Sequence, residues 1–271
     1  MDNIIIPNLK GGLGNQMFQI AAAKAHAIKH SGFAAINYRR NGSSRPGNEL
    51  SKYRSNFYSK VGITDEVVFT TYIEPHFHFS EIPFNGSTVI DGYFQSIKYF
   101  DHCKDIIKEL FYFTNADKIG WRQLAGTTTT NMVNPLVVHV RRGDYKMYPN
   151  IHPTQSEEYY RNAFTYFLDK PVKPSCVIIC TDDWESLYQD NLIGKVFTNK
   201  GMPVYTTSAC TELQDLYIMS QCKNIIMSNS SFSWWGEFLG ADKITVAPKK
   251  WFGYDGPQDY NDVYNPNWQL I

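Results

Sequence analysis

Two adjacent arginines at the end of an apolar run carry the densest chemistry in the sequence. In Leu136-Val137-Val138-His139-Val140-Arg141-Arg142-Gly143-Asp144-Tyr145 a buried-strand pattern runs straight into two guanidinium groups, a glycine and a carboxylate. A guanidinium stays charged and its planar fork matches phosphate oxygens. A strand-end arginine can therefore hold a diphosphate while Asp144 orients a neighbour. The alternative is an internal Arg–Asp ion pair. His139, inside the run, suits a hydrogen-bonded core or ligand-edge position better than a catalytic base.

Three further segments join an apolar run to small or polar residues. Gly11-Gly12-Leu13-Gly14-Asn15-Gln16 follows Ile4-Ile5-Ile6, and its missing side chains let a ligand approach backbone N–H groups at a helix start. A tight strand-to-helix turn would need the same glycines. The run lacks the third glycine of a dinucleotide fingerprint and the Lys-Ser/Thr of a P-loop. After Asn224-Ile225-Ile226-Met227 comes Ser228-Asn229-Ser230-Ser231-Phe232-Ser233-Trp234-Trp235-Gly236-Glu237, where hydroxyls can cap a helix or grip a phosphate. After Val177–Cys180, Thr181-Asp182-Asp183 places carboxylates where a strand-end acid meets a ribose, or where a helix needs its N-cap. No Asp-x-Asp triplet occurs, so the usual carboxylate pair for a metal-bound nucleotide diphosphate is missing. His76-Phe77-His78 suggests a metal, but no third ligand is evident, and burial beside aromatics is the reading preferred.

These segments need strand ends to hold them. Ile4–Ile6, the glycine run and an alanine-rich helix from about Met17 to His30 open an α/β sheet, with Ser31-Gly32 ending the helix and Gly32 as its cap. Arg39–Pro46 reads as an exposed loop, and a helical pattern covers about Ser96–Phe113. Gly126–Asn131 has no apolar periodicity and is taken as a linker, giving an N-terminal, acceptor-side domain 1–131 and a C-terminal, donor-binding domain 132–271. Beyond it, short strands (Leu136–Val140, Cys176–Cys180, Val204-Tyr205, Asn224–Met227, Lys243–Ala247) alternate with helices (Ser156–Leu168, Trp184–Asn191, Glu212–Gln221, Trp234–Leu239). That alternation predicts a parallel, doubly wound sheet. Thr211-Glu212-Leu213-Gln214 fits a capping box.

Composition narrows the class. Lys plus Arg and Asp plus Glu number 26 each, so no long-range field points to nucleic acid or an anionic membrane. Five cysteines without CxxC spacing argue against a disulfide framework or zinc cluster and fit a reducing cytoplasm; Cys176 and Cys180 share one face of a buried strand. The start of the chain offers neither a basic n-region nor an apolar run long enough for an anchor, so the expectation is a soluble protein with no integral membrane segment.

Taken together, Gly11–Gln19, the His-x-Arg-Arg-x-Asp pattern from His139 to Asp144, and Ser230–Gly236 resemble the inverting alpha-1,2-fucosyltransferases of glycosyltransferase family 11, related more distantly to alpha-1,6- and protein O-fucosyltransferases. The matching residues run from near one terminus to near the other, though Tyr38–Tyr112 matches no motif. The resemblance implies an α/β fold of two Rossmann-like domains facing a cleft, the glycosyltransferase B type. It also implies a co-substrate, GDP-fucose, with no cofactor and no metal. By that likeness Arg141 or Arg142 binds the β-phosphate and stabilises its departure. Ser230, Ser231 and Phe232 surround the α-phosphate and nucleoside, Asp182 lies near the ribose or guanine, and Gly12, Gly14, Asn15 and Gln16 flank the diphosphate and fucose. His139 joins the substrate-binding set.

The resemblance further implies transfer of fucose, with inversion, to the 2-hydroxyl of a terminal β-galactoside in cell-surface glycan or O-antigen synthesis. The acceptor glycan is open and includes lipid-linked units, which would bring a cytoplasmic enzyme to the inner membrane as a peripheral protein. Asp144 is a candidate base or a holder of arginine, with His152, Glu74 and Glu81 as rivals. Tyr93, Phe94, Trp121 and Trp251 are candidate sugar-stacking aromatics or core residues. Competing readings are a non-catalytic nucleotide-sugar or glycan-binding protein, a GDP-sugar transferase of different linkage, and a nicotinamide enzyme, the last weakened by the incomplete glycine fingerprint. Oligomeric state is not legible.

Overall fold

The computed structural model describes residues 3–39, 51–127, 132–198 and 201–271. The chain forms two compact units. One comprises Met1–Thr114 and Asp259–Asn265, the other Asn115–Gln258 and Pro266–Ile271.

The first unit contains β1 (Ile4–Pro7), α1 (Leu13–Lys29), β2 (Phe33–Ile36), a short α2 (Ser51–Arg54), β3 (Gly62–Ile63), β4 (Thr71–Ile73), β5 (Thr88–Asp91) and α3 (Lys104–Leu110). Its sheet is parallel, in the order β3-β2-β1-β5-β4. The fully buried alanines of α1 let the helix lie close against β1 and β2. The helix starts at Leu13, four residues earlier than its alanine pattern suggests, because Gly11 takes φ +78 and turns the chain sharply after β1. Gly32 does not supply its left-handed C-terminal residue. Ser31 does, at φ 52, and Gly32 is needed for a different reason: a Cβ there would stand 2.5 Å from the Asn3 carbonyl oxygen. The helix expected over Ser96–Phe113 is broken. Ser96 caps a 3-10 turn at Ile97–Tyr99, a second turn spans Asp101–Cys103, and only Lys104–Leu110 is α-helical.

The second unit contains α4 (Ile119–Thr127), β6 (Pro135–Val140), α5 (Glu157–Leu168), β7 (Cys176–Thr181), α6 (Trp184–Gln189), α7 (Leu192–Val196), β8 (Val204–Thr206), α8 (Glu212–Gln221), β9 (Asn224–Ile226), α9 (Ser231–Phe238), β10 (Ile244–Ala247) and β11 (Gln269–Leu270). The doubly wound sheet is parallel throughout, ordered β11-β10-β9-β6-β7-β8. Leu136, Val137, Val138, Val177, Ile178 and Ile179 are solvent-free, each side chain contributing roughly 1.5–3 kcal/mol on burial. That core fixes the strand ends on which the charged residues stand. Thr211 and Gln214 form the expected capping box at α8.

Gly126 and Thr127 belong to α4 and not to a linker, while 128–131 and most of the loop read at Arg39–Pro46 lie outside the described residues. The division at Thr114/Asn115 differs from the composition-based 131/132 because α4 packs on α8, where Gly120 faces Cys210, Gln214 and Ile218. Among the described residues no helix is long and apolar enough to cross a membrane.

Candidate functional site

In a doubly wound sheet, ligands bind beyond the carboxyl ends of strands where the order reverses. In the second unit the chain runs β6, β7, β8 to one side and then crosses to β9, β10, β11 on the other, so the switch point lies between β6 and β9. The Arg141 segment follows β6 and the Ser228–Ser230 segment follows β9. They are tied together there. Ser228 Oγ lies 2.8 Å from His139 Nδ1, and the Tyr145 hydroxyl donates to the Asn229 carbonyl at 2.8 Å.

The two arginines have separate fates. Arg142 turns inward: its Nη1 donates to Asp190 Oδ2 (2.5 Å), Ser186 Oγ (3.2 Å) and the Ser186 carbonyl (3.3 Å), clamping α6 to the end of β6. It is 8% exposed and matches the internal ion-pair reading. Arg141 sits between two carboxylates, with Nη1 3.1 Å from Asp182 Oδ2 and Nη2 2.7 Å from Asp144 Oδ1. Its guanidinium carbon lies 5.3 Å from the centre of the Tyr145 ring. Burial alone would lower the Arg141 pKa, but Asp182 first and Asp144 second outweigh it and raise the pKa. Its Nε–H is buried without a hydrogen-bond partner. A buried guanidinium N–H is costly to leave unpaired, and an anion is its natural complement.

Asp182 binds Arg141 and accepts the Arg142 backbone N–H at 3.0 Å. Helix α6 is capped instead by Asp183, which accepts from the Ser186 N–H and pairs with Lys146 at 2.5 Å. Burial, followed by the Arg141 charge, depresses the His139 pKa to about 3. His139 is therefore neutral at working pH, and its ring centre stands 5.6 Å from that of Phe232. The hydroxyl-rich segment is largely committed to protein. Ser230 caps α9 through the Phe232 N–H, and Ser233 Oγ donates to the Ser228 and Ser230 carbonyls. Asn229 donates to the Pro153 and Trp251 carbonyls. Ser231 and Phe232 open α9, both half-buried.

The first unit has its own switch point, between β1 and β5. No side chain caps the start of α1 at Gly12. Gln16 donates to the Gly11 carbonyl (3.1 Å) and accepts from the Tyr58 hydroxyl (3.1 Å). Gln95 donates to Asn15 Oδ1 at 2.8 Å, and Lys10 pairs with Asp91 at 2.7 Å. Gly14 is buried within the first turn of α1. The glycine run is thus a built turn that leads into α1.

Both rival carboxylates are engaged, while His152 is placed by a ring stack. Glu74 accepts the N–H groups of Tyr93 (2.6 Å) and Phe94 (3.0 Å), bracing Phe94 at φ 52; burial raises its pKa against those bonds. Glu81 pairs on the surface with Lys29 at 2.5 Å, and the His152 ring stacks on Tyr145 at 4.7 Å. Phe94 and Trp251 are core residues, closed to a sugar; Tyr93 is 39% exposed with Lys10 over its ring. Sequence reasoning missed Asp190 and Tyr145. Nothing local marks Asp190, whereas Tyr145, one residue past Asp144, was in view and unassigned.

A family model, Glycosyl transferase family 11, matches residues 5–271. The chain is 26% identical over 278 residues to an Escherichia coli alpha-1,2-colitosyltransferase, covering 92% of this chain and 93% of that protein. It is 29% identical over 293 residues to the Escherichia coli O-antigen biosynthesis glycosyltransferase WbnK, covering 90% and 93%. The fold is similar to NodZ alpha-1,6-fucosyltransferase from Bradyrhizobium co-crystallised with GDP, at TM-score 0.59 and 15% identity, covering 89% of this chain and 93% of that one. Two parallel α/β units of this kind are the glycosyltransferase B architecture.

Proposed function

We propose that this chain, which belongs to glycosyl transferase family 11 and is a glycosyltransferase, moves L-fucose from GDP-β-L-fucose to the 2-hydroxyl of a terminal β-galactoside with inversion, in O-antigen or other cell-surface glycan synthesis. The observation that carries the reading is Arg141: a partly exposed guanidinium, its Nε–H buried and unpaired, at the switch point of the second sheet. The alpha-1,2 linkage and the O-antigen setting named for the two relatives support the linkage and the context.

In the transition state positive charge develops on the sugar ring and negative charge on the departing diphosphate. A preorganised cation favours that separation. Arg141 carries +1 and its two carboxylate neighbours −2, so a diphosphate that reaches Arg141 displaces one of them. In this reading Asp144 gives way and Asp182, which also accepts the Arg142 backbone N–H, keeps Arg141 in place. The acceptor hydroxyl attacks the anomeric carbon from the face opposite GDP, converting the β linkage of the donor to α. Neutralisation of the diphosphate falls to Arg141 and backbone N–H groups, consistent with a sequence that has no Asp-x-Asp pair.

A second reading, transfer of a colitosyl group, is favoured by the colitosyltransferase relative. Turnover of the fucosyl donor separates the two. The fucosyl reading predicts that GDP-fucose is turned over at saturating lactose or N-acetyllactosamine, with unlabelled GDP inhibiting and NAD without effect. GDP-fucose bound but never consumed with any β-galactoside would overturn it.

A further inference from the structure

The pair His76 and His78 finds in space the third group that its own segment lacks. Asp259, 181 residues beyond His78, returns to the first unit with Oδ2 2.5 Å from His78 Nδ1. The imidazoles of His76 and His78 stack with ring centres 3.3 Å apart and planes 11° from parallel. One ligand atom from each of the three residues falls within 4.8 Å of the others. Two imidazole nitrogens each about 2.0 Å from a tetrahedral zinc ion lie about 3.3 Å from one another. To share one ion the two rings must turn out of their parallel stack, because each imidazole lone pair lies in its own ring plane. His76 Nδ1 also lies 3.1 Å from the His78 carbonyl oxygen. The other nitrogen of that ring, Nε2, lies 3.1 Å from Ser80 Oγ, a contact that a bound ion would replace.

We propose that His76, His78 and Asp259 bind one divalent transition-metal ion, with water completing its coordination. Two imidazoles and one carboxylate suit the zinc, cobalt or nickel class and not magnesium or calcium, which prefer all-oxygen sets. The three groups are open to solvent, His78 and Asp259 keeping 46% and 47% of their side chains exposed, so an ion reaches them directly. The site uses no residue assigned above to the diphosphate. Its role is to fasten a chain return. Asp259–Asn265 is the second passage of the chain through the first unit, otherwise held there by the Lys98–Asp262 pair (2.5 Å) and by the Phe79 N–H donating to Asp262 Oδ2 (2.8 Å). An ion bridging His76 and His78 to Asp259 ties that passage to the loop after β4.

The test uses the full chain, stripped with a chelator and dialysed, titrated with cobalt(II) and separately with zinc(II). The proposal predicts one cobalt per chain with visible absorption bands of low-coordinate cobalt. It also predicts a rise in Tm of about 5 °C with zinc at a hundredfold excess over Kd. Both signals disappear in His76→Ala and Asp259→Asn, while the circular dichroism and the GDP-release rate of those variants match the parent. Cobalt bands and zinc stabilisation that persist in either variant, or that are absent from the parent, would overturn the proposal.

Discussion

Gly143 and Asp182 approach so closely that a Cβ on Gly143 would stand 2.2 Å from Asp182 Oδ2. The same oxygen pairs with Arg141 Nη1 at 3.1 Å, so the glycine is what lets the end of β7 reach the arginine at the end of β6. Gly143→Ala should push the Asp182 carboxylate aside and loosen Arg141. We expect kcat/KM for GDP-fucose to fall at least about tenfold, roughly 1.4 kcal/mol of transition-state stabilisation, with Kd for GDP weakened in parallel. Unchanged kinetics in the folded variant would show that Asp182 does not position Arg141.

Arg141 and Arg142 should separate under mutation despite being neighbours. Arg141→Ala is expected to lower kcat by about a hundredfold to a thousandfold, on the order of 2–4 kcal/mol, and to leave Tm within a few degrees. Arg142→Ala removes three hydrogen bonds at α6 and should cost about 1–3 kcal/mol of stability, read as lost Tm. If Arg142→Ala abolished turnover while Tm held, the phosphate role would move to that residue.

Asp144→Asn distinguishes a base from a holder of arginine. With Asp144 only an exchangeable partner of Arg141, the variant keeps kcat within about threefold, keeps its pH profile and binds GDP at least as tightly. Loss of about a hundredfold or more in kcat, with loss of the acidic limb of the pH profile, would make it the general base.

These distinctions were not readable in the sequence, and the reason is distance along the chain. An arginine pair at a strand end is visible locally, but which one turns inward depends on Asp182 and Asp190, some 40 and 48 residues away. Most helices and strands of the second unit, though not α4, α7 or β11, were legible because apolar runs and caps are local: Glu212–Gln221 begins at its Thr211 box, and Cys176–Thr181 is buried at every position. Around Ser31 and Gly32, two residues both suited to a helix end, only the approach of Asn3 decides which takes the left-handed turn. Phe94 and Trp251 look like sugar-stacking aromatics until the packing encloses them. The third metal-ligating group for His76 and His78 was invisible for the same reason as Asp190.

Asp215 should set a pH dependence of stability. Burial pushes its carboxyl from 3.8 up to about 7, opposed by the Thr207 hydrogen bond and reinforced by Glu212, and its Oδ1 has no partner. Between those two values the folded chain holds a proton that the unfolded chain has released. Stability is therefore greatest below about pH 4 for this group and falls by up to about 1.4 kcal/mol per pH unit until the loss is complete near pH 7. Asp215→Asn should flatten that slope in denaturant titrations at pH 5 and pH 8 and be the more stable protein, relative to the parent, at the higher pH. An identical slope in the variant would mean that Asp215 is ionised in the fold.

The most direct test of fucosyl transfer is product analysis by NMR after incubation of the purified protein with GDP-fucose and N-acetyllactosamine in EDTA. The account predicts stoichiometric GDP release and a single α1,2-linked fucosyl product, formed at the same rate with and without the chelator. Release that stops in EDTA and returns with added magnesium or manganese, or a product of another linkage, would contradict it.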